Sequence, residues 1–202
     1  MKGRKVKTVT TSKNDKLIVA IVGKAGSGKD ALARQLATIP TVNNIVSCTT
    51  RPMRQGEQEG KSYYFLTNEE FAEKVLNGDM LEATFFNGWH YGTMKSSLKE
   101  GINVGVFNPE GWDCLIEAPI PGVAVLGYYL YCDDKERLLR QLNREDYPDV
   151  HEIIRRFNAD EEDFAVLDPR LKILPSNNWN DHYKNYETIV QDIDDLGFKK
   201  YR

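Results

Sequence analysis

Cysteine is scarce in this chain of 202 residues: Cys48, Cys114 and Cys132 stand alone, without a C-x-x-C spacing. An odd, scattered set argues against a disulfide framework and fits a reducing cytoplasm. Long hydrophobic runs are missing too. Runs such as LIVAIVG (17–23) are far too short to span a membrane, and the N-terminal stretch lacks the apolar region of a signal peptide. There is no excess of positive charge: the net charge is -3, which leaves no general basic surface for nucleic-acid phosphates. His90, His151 and His182 show no metal-ligand spacing, so no zinc site is expected. No segment of 20 to 50 residues repeats itself.

What is present reads as one α/β domain. Residues 1–16, MKGRKVKTVTTSKNDK, are polar and basic and are expected to form a flexible tail. LIVAIVG is a β-branched run suited to a strand buried on both faces of a parallel sheet. Helical spacing follows in DALARQLATI (30–39), which stops near Pro40. A short strand is expected over 43–50, an amphipathic helix over 69–79 with Gly78 at its end, and strands over 103–107 and 123–132. Helical patterns occupy 134–144, 150–165 and 181–196, the last closed by Gly197. Strands alternating with helices define the class.

GKAGSGKD (23–30) is nearly a phosphate-binding loop. The pattern G-x-x-x-x-G-K-[ST] is complete through Gly23, Gly28 and Lys29, and then Asp30 replaces the expected hydroxyl. The context is right: a buried strand, a glycine turn, a helix. Gly26 and Gly28 let backbone N–H groups turn toward a phosphate. The helix start adds free N–H groups and its dipole, and Lys29 brings a point charge to the β- and γ-phosphates. Gly23 to Asp30, including Lys24, Ala25 and Ser27, are therefore the expected ATP contacts.

In SCTTRPMRQGEQEGKSYYF (47–65), Arg51 and Arg54 flank Pro52 in a stretch without helical periodicity. Guanidinium forks suit phosphate oxygens better than ammonium groups do. Taken in order, GKAGSGK, this segment and GDMLEATFFNGWHYGT (78–93) resemble the successive motifs of guanylate kinases, and the likeness runs from about residue 17 to 196. The resemblance implies a P-loop kinase core with a parallel sheet flanked by helices, within a guanylate kinase-like domain at 17–202. It also implies a small acceptor-binding subdomain at about 46–103 and a mobile lid at about 140–156.

Position by position, the resemblance implies that Arg51, Arg54, Tyr63 and Tyr91 hold the phosphate of an acceptor monophosphate, and that Ser47, Glu82 and Thr93 read guanine. A carboxylate at Glu82 accepts from guanine N1–H and the 2-amino group. Adenine offers neither and leaves a buried acceptor unsatisfied. In LLRQLNREDYPDVHEIIRRF (138–157), Arg144 and Arg156 correspond to lid arginines that reach the transferring phosphoryl group, with Arg140 and Arg155 as neighbours. Lys29, Arg51, Arg144 and Arg156 are the expected catalytic side chains, since phosphoryl transfer depends on positioned positive charge.

Two positions depart from the family pattern. VGVFNPEG (104–111) carries Val106 and Asn108 where acidic residues are usual. Asn108 is placed among the acceptor contacts, where an amide that both donates and accepts should loosen base discrimination. Asp30 is the other departure. A carboxylate opposes bare polyphosphate but is a hard ligand for magnesium, so Asp30 is the expected metal ligand and Mg2+ the expected cofactor, arriving with ATP. The implied reaction carries the ATP γ-phosphoryl to GMP or dGMP in the cytoplasm, with no nucleic-acid or membrane partner. A broader deoxynucleoside monophosphate kinase stays open, as does a non-catalytic guanylate-kinase-like module that binds a protein. The retained Lys29 weighs against the module. The oligomeric state is not assigned by the sequence.

Overall fold

The computed structural model describes residues 16–54, 56–86, 88–144 and 146–198. Of the tail expected over 1–16, all but Lys16 lies outside the described residues. Strand β1 (Lys16–Val22) leads through the glycine loop into helix α1 (Lys29–Leu36), and β2 (Val42–Asn44) follows. The chain then builds β3 (Cys48–Thr49), β4 (Tyr64–Phe65), α2 (Asn68–Leu76), β5 (Met80–Phe86) and β6 (Trp89–Met94). It continues as β7 (Gly101–Phe107), α3 (Pro109–Glu117), β8 (Val123–Tyr131), α4 (Asp134–Leu142), α5 (Val150–Asp163), β9 (Lys172–Pro175) and α6 (Trp179–Asp195).

These strands form two sheets. The larger has the order β2-β7-β1-β8-β9 and is parallel throughout. The smaller has the order β4-β3-β6-β5; only its β3–β4 pair is parallel. β1 is apolar from Leu17 to Val22 because both of its faces are covered. Leu17, Val19 and Ile21 pack with Leu32 and Leu36 of α1 and Ile189 and Ile193 of α6. Ile18, Ala20 and Val22 face Trp112 and Leu115 of α3, with Phe164 and Leu171 beyond. Alternation with period two thus divides one run between two cores. The parallel architecture flanked by helices is the expected one.

The strand expected over 43–50 is two strands in different sheets. Ile45 N still donates to Val104 O at 2.8 Å on the parallel sheet, whereas Cys48 pairs with Tyr64 and Gly92 in the smaller one. Each half is too short to show a period. The expected pattern also omitted β4, β5, β6, α3 and β9. In β5 and β6 the buried positions include Glu82, Thr84 and Thr93, and a strand that turns polar groups inward escapes a hydrophobic pattern. α3 begins with an Asn108 cap and Pro109 in the first turn, a local signal that needs no apolar stripe. The glycine loop, α3 and α4 follow the carboxyl ends of β1, β7 and β8, the edge where α/β sheets bind ligands. Among the described residues, no helix is long and apolar enough to cross a membrane.

Candidate active site

The glycine loop bends as its composition dictates. Gly26 and Gly28 have φ of +80° and +92°, a region that side-chain-bearing residues avoid. A Cβ at position 26 would also lie 2.7 Å from Arg137 O. Gly28 caps α1 with no side chain, so the first-turn N–H groups stay available to an anion. Lys29 folds back toward the loop, its Nζ 3.4 Å from Lys24 O. Asp30 is exposed in the first turn of α1.

A buried ion pair holds this loop. Arg137 of α4 is 0% exposed. Its Nε donates to Ala25 O at 2.9 Å, one Nη donates to Asp134 at 2.6 Å and the other to Asp160 of α5. The same Asp160 oxygen accepts the Ala25 N–H at 2.8 Å. Both polar groups of the Ala25 residue are therefore tied to one pair. The guanidinium also stacks over Phe157, 4.4 Å from the ring centre. Burial raises the Asp160 carboxyl, while the Ala25 N–H, Arg137, Lys29 and Lys24 pull the other way. Neither residue was legible as a site residue, because an Arg and an Asp in helical segments read as surface charge.

Across the cleft, arginines converge. Arg51 is buried, and its two terminal nitrogens lie 3.0 Å and 2.8 Å from the Glu57 carboxylate oxygens. Arg54 donates its N–H to Glu57 at 2.8 Å. Burial pushes Glu57 up, but the Arg51 fork and the Arg54 N–H hold it below its ordinary value. Burial and the neighbouring Arg156 and Arg51 lower Arg54. Clustered like charge of this kind is relieved by an anion. One carboxylate serves now: Glu152 of α5 bonds Arg155 and Arg156 at 2.7 Å each and lies 3.7 Å from Arg54. Arg155 and Arg156 drive it down to about 2. Tyr63 and Tyr91 meet edge to face at 6.1 Å beside Arg51. Burial, then Asp30 and Tyr91, raises the Tyr63 phenol.

The third group sits where β5 and β6 meet α3. Glu82 is 8% exposed and Thr93 fully buried; Ser47 Oγ is 3.3 Å from Thr93 Oγ1. Burial raises the Glu82 carboxyl to about 7, with Thr93 hydrogen bonds opposing and Glu110 adding to the rise. Gly111 makes room, since a Cβ there would lie 3.3 Å from the Glu82 oxygen. Asn108 is engaged at both ends: it accepts from Gly111 N at 2.7 Å and donates to Thr84 Oγ1 at 2.8 Å. Its carbonyl caps α3, and its amide is already bonded within the protein.

These three groups share one cleft of about 860 Å³. Gly23, Ala25, Gly26, Gly28, Lys29 and Asp30 line one end, and Ser47, Arg54, Tyr63, Glu82, Tyr91 and Asn108 the other. Arg140, Arg144, Arg155 and Arg156 come from the α4–α5 side. Ser27, Arg51 and Thr93 are buried outside the lining of the cleft, and Lys24 turns to Glu161. The sequence reading passed over Glu57, Glu152, Arg137, Asp160 and Gln141. Among the described residues, no group of three His, Cys, Asp or Glu could hold a metal ion. Asp30, on the wall beside the glycine loop, suits magnesium, which is commonly held by one or two carboxylates plus substrate phosphates.

The Glu82 geometry yields a stability test. Its folded pKa of about 7 lies above the ordinary value of 4.5, so its favourable contribution is complete below pH 4.5 and is lost as pH rises through 7. Glu82→Gln removes the buried charge. The variant should gain on the parent by on the order of 2 kcal/mol between pH 5 and pH 8. Urea unfolding of both proteins at the two pH values measures this, and a constant difference contradicts it.

The family model described as guanylate kinase matches residues 14–113. A guanylate kinase from Chlorobium luteolum is 37% identical, the match covering 52% of this chain and 51% of that protein. One from Thermotoga maritima is 33% identical over 77% of this chain and 80% of its own length. The match thus spans about half of the first relative and four fifths of the second. The solved structure of guanylate kinase from Anaplasma phagocytophilum superposes with a TM-score of 0.66 at 20% identity, covering 93% of this chain and 89% of that one; this likeness concerns the fold. The chain belongs to the guanylate kinase family.

Proposed function

We propose that the protein transfers the γ-phosphoryl group of ATP to GMP or dGMP, giving ADP and the corresponding diphosphate. One observation carries this reading: a phosphate loop, an arginine cluster and a buried Glu82–Thr93–Ser47 group all open on the same cleft. The loop and Lys29 hold the donor phosphates. Arg54 and Tyr91 take the acceptor phosphate, with Arg51 positioning them from behind through Glu57 and the Tyr63 ring. Glu82 accepts from the guanine N1–H and 2-amino group. An acceptor-phosphate oxygen attacks the γ-phosphorus directly. The new P–O bond forms as the bond to the β,γ-bridging oxygen breaks, and ADP leaves with that electron pair. No side chain forms a covalent intermediate.

The segment at 140–156 acts as a lid. Arg144 and Arg156 close on the transferring group, and Arg156 exchanges the Glu152 carboxylate for phosphoryl oxygens. Catalysis then comes from positioning, charge neutralisation and exclusion of water. Asp30 would hold the Mg2+ that arrives with ATP, and the ion would supply neutralising charge to the donor phosphates. Three free thiols suit reaction in a reducing cytoplasm.

Steady-state kinetics across GMP, dGMP, AMP, dAMP, CMP and dTMP test the reading. A guanine acceptor should give the highest kcat/KM. Val106 and Asn108 bring no carboxylate to the acceptor end, so the margin over other bases should be narrower than two acids at these positions would give. A better rate with dAMP or dTMP favours the broader kinase. No ADP from any acceptor, with a protein ligand bound instead, favours the module.

Asp30 is tested through donor binding. Two unit charges about 4 Å apart interact by roughly 4 kcal/mol at an effective dielectric of 20, an illustrative scale for carboxylate against phosphate. Asp30→Ser should bind metal-free ATP more tightly than the parent and gain less from added magnesium. Equal magnesium-induced gains in the two proteins would leave Asp30 as a helix-start residue only.

A further inference from the structure

Helix α4 turns a polar face inward. Arg137 and Gln141 lie one turn apart on it, 0% and 9% exposed. Arg137 is fully engaged. Gln141 is not: among the described residues, neither its Nε2 nor its Oε1 has a hydrogen-bond partner, although both atoms are shut off from solvent. A side-chain amide offers two donors and an acceptor, and buried groups of this kind are nearly always paired. Gln141 lines the same cleft as Gly23, Lys29, Arg140 and Arg144.

Its neighbours identify the ligand. One turn earlier, Arg137 grips Ala25 O. One residue earlier, Arg140 Nη1 lies 3.3 Å from Gly26 O and 3.4 Å from Ser27 O. This side of α4 is therefore set against the phosphate loop, between two arginines suited to anionic oxygens. We propose that Gln141 is a substrate-contacting residue whose Nε2 donates to an oxygen of the terminal phosphoryl group of the nucleotide triphosphate held by the loop. A neutral amide adds direction there without adding to the charge already supplied by Arg140 and Arg144. The inference rests on the phosphate-donor half of the proposed function and not on the identity of the acceptor base.

A residue that only fills space behaves differently from one held ready for a ligand. An unpaired buried amide destabilises the nucleotide-free protein, and an apolar side chain of similar size removes that cost. Gln141→Leu, with Gln141→Met as a second variant of the same reach, should therefore raise the Tm of the nucleotide-free protein by about 2–4 °C. Direct titration should show ATP affinity lowered roughly ten- to a hundredfold, the effect of a hydrogen bond to a charged group, with ADP affinity changed by less than about threefold. Unchanged ATP affinity, an equal loss for ATP and ADP, or a lower Tm in both variants overturns the assignment. These titrations need no acceptor. A parent protein that binds ATP but phosphorylates no monophosphate would refute the kinase reading while still deciding the role of Gln141.

Discussion

The donor end of the site depends on the buried pair between Arg137 and Asp160. Together they bind the C=O and the N–H of Ala25, the third residue of the phosphate loop. A glycine-rich loop has little side-chain packing of its own and loses much conformational freedom on folding. The pair replaces that missing packing with three directed bonds. Because Arg137 belongs to α4 and Asp160 to α5, the same bonds set where Gln141, Arg140 and Arg156 stand relative to the loop. A buried ion pair is weak evidence for stability in itself, since desolvation offsets much of the attraction. What it contributes here is geometry: one loop conformation and one placement of two helices.

On the acceptor side the same physics has a different use. Arg51, Arg54 and Arg156 crowd one another, and Glu57 and Glu152 supply the compensating charge. Glu57 lines the cleft and holds the Arg51 fork. Glu152 belongs to α5 and holds Arg155 and Arg156. Glu82 is the opposite case, a carboxyl buried without a cation, whose rise to about 7 reflects burial above all. A ligand that donates hydrogen bonds to it would offset the cost of that burial.

Much of this was legible in the sequence. The run from Leu17 to Val22 reads as a doubly buried strand because it is one, and GKAGSGK after it reads as a phosphate loop because the turn requires glycine at positions 26 and 28. Arg54 stood out as a guanidinium beside Pro52, Tyr63, Glu82 and Tyr91 took their roles from the family resemblance, and all four line the cleft. The losses have a common cause. β5 and β6 were missed because the residues they bury include the polar Glu82, Thr84 and Thr93. Arg137, Asp160 and Gln141 were missed because burial of a polar residue is a tertiary fact: nothing along α4 or α5 separates an arginine facing a loop 112 residues away from one facing water. Asn108, expected among the acceptor contacts, lines the cleft, and its side chain also bonds Gly111 and Thr84, which the sequence does not show.

Hydrogen exchange at the Ala25 amide of the nucleotide-free protein tests most directly whether the loop is held ready by this pair. The account predicts slow exchange in the parent. In Asp160→Ala, protection at Ala25 should fall sharply while the amides of Val19 and Ile21 in β1 stay protected. Fast exchange at Ala25 in the parent, or undiminished protection in the variant, would contradict it.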